Sequence, residues 1–344
     1  MTIINEIDAA SACRYLHETG RVTAGTKVAV RELAGGVSNI VLLVEPEGET
    51  PFVIKQCRER LRVAMDWRAR LDRIWFETAA LDLLGSILDQ GTVPRILFID
   101  RPNYLFAMTR APEDALTWKT QLLAGRVDLS LAERLGEILA VIHTRAQGHP
   151  LLAGLLSDAT VFDELRIDPY YRTIARAHPA IQGCIDDLIA AMDRSDRTLV
   201  LGDYSPKNIL VHRLGLVVLD FECAHAGDRA FDLGFFLSHL MLKAIRARES
   251  PESQGQWPQL LGAAAAFWSG YQRGNPRIGE ELSPRVARHT AACVLARVDG
   301  KSPVEYLDAR GQEVARRFAL RMFAHEPTGW DEMAETLRKQ LIGV

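Results

Sequence analysis

The hydrophobic pattern of this chain changes period once, near Arg110-Ala111-Pro112, and that change restricts its possible folds more than any other feature. Before it, residues 27–33, 39–44 and 51–56 read as three short strands joined by the glycine-bearing turns Ala34-Gly35-Gly36 and Glu45-Pro46-Glu47-Gly48, most simply an antiparallel meander. Leu71, Ile74, Trp75, Leu81 and Leu84 then recur at threes and fours about Thr78, the stripe of a helix over 68–85 with one buried face. Residues 93–99 and 104–109 complete the strand-rich part. Beyond it, Ser130 with Glu133 matches a capping box, and Leu131, Leu135, Ile138, Leu139 and Ile142 predict a helix to about Arg145. Further helix is expected between 155 and 193. Strand character returns only over 198–201, 208–212 and 216–221, before the chain turns helical from Phe231 onward, interrupted by a polar loop at 248–258. The expected architecture is α+β and bilobal, with a small β-rich lobe over residues 1–110 and a large helical lobe over 111–344 that carries one hairpin.

The hairpin region holds the chemistry. Within Val200 to Leu233 lie Asp203, Asn208 five residues on, and Asp220 at the end of an apolar strand. Phosphoryl transfer needs a carboxylate to orient the attacking hydroxyl and hard oxygen ligands to hold magnesium on the nucleotide phosphates. This trio supplies both, whereas turn-forming Asp and Asn residues occurring singly would not.

The run Gly202-Asp203-Tyr204-Ser205-Pro206-Lys207-Asn208, followed by Leu219-Asp220-Phe221-Glu222, resembles the catalytic and metal loops of the aminoglycoside phosphotransferase, choline kinase and methylthioribose kinase superfamily, which has the protein-kinase-like fold. That resemblance implies Asp203 as catalytic base, Asn208 and Asp220 as magnesium ligands, Glu222 as a second-metal or water-mediated ligand, and Asp232 as a brace for the catalytic loop. Leu201 stands where the superfamily usually has a histidine. It also implies that backbone groups from about Met108 and Thr109 to Ala111, where the lobes connect, read an adenine edge. ATP and Mg2+ are the expected cofactors.

In the β-rich lobe, Gly35, Gly36 and Ser38 lie between two strands, where glycines let backbone N–H groups approach phosphate oxygens. A two-glycine hairpin turn is the commoner reading of that spacing alone. Lys55 on the third strand can neutralise nucleotide phosphates, and Glu77 on the following helix is placed to pair with it, against the alternative of a solvent-facing strand lysine. The segment Gly20 to Lys27 has P-loop glycine spacing, but its Thr precedes the Lys and it leads into a strand, so that motif fails.

Lys plus Arg total 41 against 44 for Asp plus Glu, so nothing in the charge points to a nucleic-acid or anionic-membrane partner. The five scattered cysteines, with no CxxC pair, are those of buried thiols in a reducing compartment. Met1 to Ala10 lacks the apolar core of a secretory signal, and a cytoplasmic location is expected. The partner is then a small-molecule hydroxyl acceptor, and the sequence says nothing of oligomeric state. From Met241 to Val344, 15 basic residues face 12 acidic ones, which disfavours a polycationic aminoglycoside. The pattern around Asp220 to Phe236 and the stretch Ala296 to Glu305 are similar to methylthioribose kinases, which makes Arg297 a candidate hydroxyl-binding residue. Lys207 either touches the acceptor or a phosphate, or is simply solvated. His143 is expected to be a hydrogen-bonded structural histidine, and Trp257, Trp268 and Tyr271 to be helix packing. The expected activity is transfer of the ATP γ-phosphate to a sugar-like or amino-alcohol metabolite. The alternative, which Leu201 permits, is a catalytically silent nucleotide-binding regulator.

Overall fold

The computed structural model describes residues 6–33, 38–60, 62, 69–194, 197–250, 253–275, 282–325 and 327–343. Alternating apolar residues build a five-stranded antiparallel sheet from β1 (Val28–Glu32), β2 (Asn39–Pro46), β3 (Phe52–Cys57), β4 (Ile96–Asp100) and β5 (Leu105–Thr109), in the order β1-β2-β3-β5-β4. The central strand β3 is buried along its whole length, because both faces of the sheet are covered. On one face lies the helix Ala9–Glu18, whose Tyr15 and Leu16 pack with Leu42, Val44 and Ile54. This helix was not anticipated; Asp8 and Ser11 start it with a reciprocal capping box. On the other face lies the helix Arg73–Ile87, with Ile74, Phe76 and Leu84 in the main core beside Leu43, Val53 and Phe106.

Beyond residue 110 the chain is mostly helical, as expected of a protein-kinase-like α+β fold. Helix Leu129–Arg145 is capped by Asp128, whose Oδ1 accepts from the N–H groups of Ser130 and Leu131. This corrects the Ser130–Glu133 capping box, because the Asp lies two residues earlier and takes both N–H groups first. Helix Trp257–Gly274 crosses it so closely that a Cβ on Gly136 would stand 2.0 Å from the Phe267 carbonyl oxygen, and one on Gly270 2.1 Å from that of Glu133. Helix Arg229–Glu249 runs through the centre of the core, with Leu282–Asp299 against it. No helix among the described residues is long and apolar enough to cross a membrane, and all five cysteines are free thiols.

Five short strands organise the site: β6 (Leu116–Thr117), β7 (Arg197–Val200), β8 (Ile209–His212), β9 (Gly215–Val218) and β10 (His225–Asp228). β8 and β9 form the expected hairpin, with β6 on its outer edge, and β7 pairs antiparallel with β10. β10, with the sequence His-Ala-Gly-Asp, carries no strand signal of its own and is held by its register with β7.

Candidate active site

The loop from Leu201 to Asn208 is fixed by its backbone. The fully buried Asp232 accepts from the N–H of Leu201 at 2.7 Å and of Gly202 at 2.9 Å, one bond to each carboxylate oxygen. His143 Nε2 lies 3.3 Å from Asp232 Oδ2 and its Nδ1 lies 2.9 Å from the Tyr271 hydroxyl. Burial lowers the pKa of this imidazole, and the neutral tautomer that donates from Nε2 and accepts at Nδ1 satisfies both contacts. His143 and Tyr271 are thus structural. Leu201 packs in the core, and its backbone is held through Asp232. Gly202 has φ +74, and a Cβ there would lie 2.6 Å from that of Cys223, so only glycine fits this turn.

Asp203, the next residue, receives two cations on a single oxygen. Arg166 Nη2 stands 2.7 Å and Lys207 Nζ 2.8 Å from Oδ2. Among the described residues the other oxygen, Oδ1, has only the Ser205 hydroxyl, at 3.2 Å. Arg166 was not singled out in the sequence. It sits in the π-helix Asp163–Arg172, which contains Pro169, and it also donates to the Gly202 carbonyl at 2.6 Å, tying the π-helix to the Leu201–Asn208 loop. Lys207, half exposed, faces Asp203. The Asn208 amide donates to the Asp203 carbonyl at 3.1 Å, leaving its own oxygen available. The Asn208 carbonyl in turn accepts from the N–H of Leu219, which sets Asp220 beside this loop.

Asp220 has φ +71, in the left-handed region that side chains other than Gly, Asn and Asp rarely adopt. The turn aims its carboxylate at the sheet, where Oδ1 meets Lys55 Nζ at 2.8 Å. Lys55 also pairs with Glu77 at 2.7 Å, so the expected strand–helix ion pair is present and is completed by a second carboxylate. Burial opposes the charge of Lys55, but Asp220, Glu77 and Glu222 outweigh it and hold its pKa well above the usual lysine range. For Asp220, burial is outweighed by Lys55 and Lys207, which keep it below the usual carboxylate range.

Glu222 is placed differently from a free metal ligand. Its Oε1 accepts from Ser38 Oγ at 2.7 Å, and its Oε2 from Asn39 Nδ2 at 2.9 Å and Arg73 Nε at 3.1 Å. Arg73, fully buried, spends its remaining donors on backbone carbonyls including those of Ser38 and Arg58. Ser38 thus lies at the site by way of Glu222, while Gly35 and Gly36 lie outside the described residues.

A family model described as the phosphotransferase enzyme family matches residues 29–276, a span that holds Lys55, Asp203, Asn208 and Asp220. The chain belongs to this phosphotransferase family. The methylthioribose kinase of Bacillus velezensis is 24% identical over 295 residues, covering 78% of this chain and 73% of that protein. Among solved structures, a choline/ethanolamine kinase family protein from Mesorhizobium loti has a TM-score of 0.55 at 15% identity, covering 96% of this chain and 99% of that one. Amicoumacin kinase hAmiN, in complex with AMP-PNP, Ca2+ and Ami, has the same TM-score and identity, covering 87% and 89%. This phosphotransferase is a small-molecule kinase with a hydroxyl acceptor.

Three other candidate residues of the phosphotransferase are placed by the sheet and the helices. Met108 and Thr109 end β5, where they pair with Val53 and Phe52, and the Thr109 N–H is taken by the Arg95 carbonyl. Only the segment beyond them, residues 110–111, has left the strand. Arg297, near the end of helix Leu282–Asp299, donates to the Tyr170 hydroxyl at 3.1 Å and to Ser302 Oγ at 2.9 Å. Tyr170 shares the π-helix with Arg166, whose guanidinium is 5.8 Å from its ring. Arg297 is therefore linked to Asp203 through Tyr170 and Arg166.

Proposed function

We propose that this phosphotransferase moves the γ-phosphate of ATP to a hydroxyl of a small sugar-like or amino-alcohol metabolite, with residues 1–110 binding the nucleotide and 111–344 the acceptor. The observation that carries the reading is the convergence of Lys55 and Asp220, 2.8 Å apart, on a hairpin that also carries Asn208 and follows Asp203. Lys55, oriented by Glu77, binds the α- and β-phosphates. Gly35, Gly36 and Ser38 are assigned to the phosphates, and the Met108–Ala111 segment to the adenine. Asn208 and Asp220 offer an amide and a carboxylate oxygen, hard donors that suit magnesium and would hold it. Bound there, the ion would neutralise charge on the phosphates.

The acceptor hydroxyl donates to Asp203 Oδ1, the oxygen that Arg166 and Lys207 leave open. Its oxygen attacks the γ-phosphorus as the bond to the β,γ-bridging oxygen breaks, ADP departs, and the hydroxyl proton passes to Asp203. Arg166 and Lys207 hold the carboxylate in place, in keeping with a reaction in which positioning outweighs proton abstraction. Glu222, engaged by three donors, is read as a tie between the metal loop and the sheet. The scattered free cysteines support a cytoplasmic setting. The test is a calorimetric titration with ATP, with and without magnesium, beside Asp220→Ala. Magnesium-dependent binding lost in the variant supports the site; absence of ATP and GTP binding in the wild type overturns it.

A further inference from the structure

The acceptor side of the site contains a cluster of cations with too few anions. Lys243, on helix Arg229–Glu249, is only 2% exposed. Its ammonium donates to the His239 carbonyl one turn back at 3.2 Å, and no carboxylate among the described residues lies within ion-pairing distance. Lys243 Nζ stands 5.1 Å from the centre of the Tyr306 ring, and Lys119 Nζ 5.9 Å from the same ring. Glu305, the carboxylate that acts on this group, is already paired with Lys119.

Three buried polar atoms around this pair have no partner among the described residues: His239 Nε2, Arg297 Nε and the Tyr306 hydroxyl. The cluster reaches the reacting carboxylate through Arg297, which donates to Tyr170, the neighbour of Arg166 on Asp203. Burial, with Lys119 and Arg297 adding to it, brings the Lys243 pKa down to about 7.

A buried ammonium without a counter-charge is costly, and so are buried donors without acceptors. A ligand that brings anionic oxygens removes both penalties. We propose that Lys243, Arg297 and Tyr306 receive an anionic group of the acceptor, a carboxylate or a phosphate ester, while the acceptor's hydroxyl reaches Asp203. The proposal rests on the phosphotransferase reading for placing the acceptor here. It narrows the acceptor to acidic hydroxy compounds, since a cationic amino alcohol would meet like charge.

The test loads the protein with magnesium and AMP-PNP, so that the triphosphate site is filled, and titrates it calorimetrically with sodium malonate and with sodium phosphate at constant ionic strength. Wild type is expected to bind at least one of them. Lys243→Met is expected to weaken that binding at least tenfold, to keep its AMP-PNP affinity, and to melt higher than wild type without anion, because an uncompensated buried charge has gone. Tyr306→Phe, which removes only the unpartnered hydroxyl, is expected to weaken anion binding several-fold and serves if Lys243→Met does not fold. Malonate binding alone identifies a carboxylate, and phosphate binding alone a phosphoryl group. If neither anion binds, or if the variants bind as tightly as wild type, the proposal is overturned. If AMP-PNP itself fails to bind, the phosphotransferase reading falls, and the same titration of nucleotide-free protein still decides the cluster.

Discussion

Arg73 and Glu222 stand 149 residues apart in sequence and meet at 3.1 Å in the buried seam between the five-stranded sheet and the β8–β9 hairpin. The contact also recruits Ser38 and Asn39, so one carboxylate from the loop after β9 gathers the start of β2 and the first turn of the helix behind it.

Arg73→Met should therefore leave Glu222 buried with only neutral donors. Loss of one partner from a buried pair costs roughly 3 kcal/mol or more, and urea denaturation should register that loss. Glu222→Gln, which keeps the Ser38 and Asn39 side of the network within hydrogen-bonding reach, should cost less.

Lys55 supports a double-variant experiment. Lys55→Met is expected to weaken ATP binding and also to destabilise the fold, because Glu77 is left buried and alone. Adding Glu77→Leu should return much of the stability, read as a melting temperature, without returning nucleotide affinity. If stability and affinity recovered together, Lys55 would not be a phosphate ligand.

Asp203→Asn keeps the shape of the side chain and removes its charge. Once an acceptor is in hand, ADP release should fall by about a hundredfold to ten-thousandfold, the usual span for a positioned acid or base. The ATP dissociation constant by calorimetry should stay within about twofold, since no role in nucleotide binding is assigned to Asp203.

Two of the buried histidines contribute measurably to the acid side of stability. Burial lowers both His225 and His289 from 6.5 to about 4. The folded imidazoles stay neutral while the unfolded chain takes up protons below 6.5, so stability falls as pH drops from about 6.5 and levels off near 4. Each contributes up to roughly 3 kcal/mol to that fall. Urea melts at pH 7 and pH 5 should show a shallower pH dependence in His289→Gln than in wild type.

Much of this site was legible in the sequence because its parts are local. Asp203, Lys207 and Asn208 share one short loop, Asp220 follows its hairpin, and Lys55 with Glu77 follows from strand and helix phase. Arg166 left no such trace: the π-helix around Pro169 breaks the 3.6-residue period, and its partner lies on another segment. The partners of Glu222 were hidden for the same reason, since a network joining residues 38, 39, 73 and 222 has no spacing to read. The four-residue β10 was missed because its order comes from β7, against which it pairs, whereas the helix Ala9–Glu18 carried a local signal in the Asp8–Ser11 capping box that went unread.

Asp220 and Glu222 lie two residues apart, and both are anchored across the seam, the first to Lys55 and the second to Ser38, Asn39 and Arg73. Drawing residues 1–110 away from the rest would strip Asp220 of Lys55 and part Arg73 from Glu222 in one movement, while Lys55 kept Glu77. The two halves of the chain are therefore bound into a single cooperative unit, and the β-rich half expressed by itself would have to fold around a buried guanidinium whose carboxylate is absent.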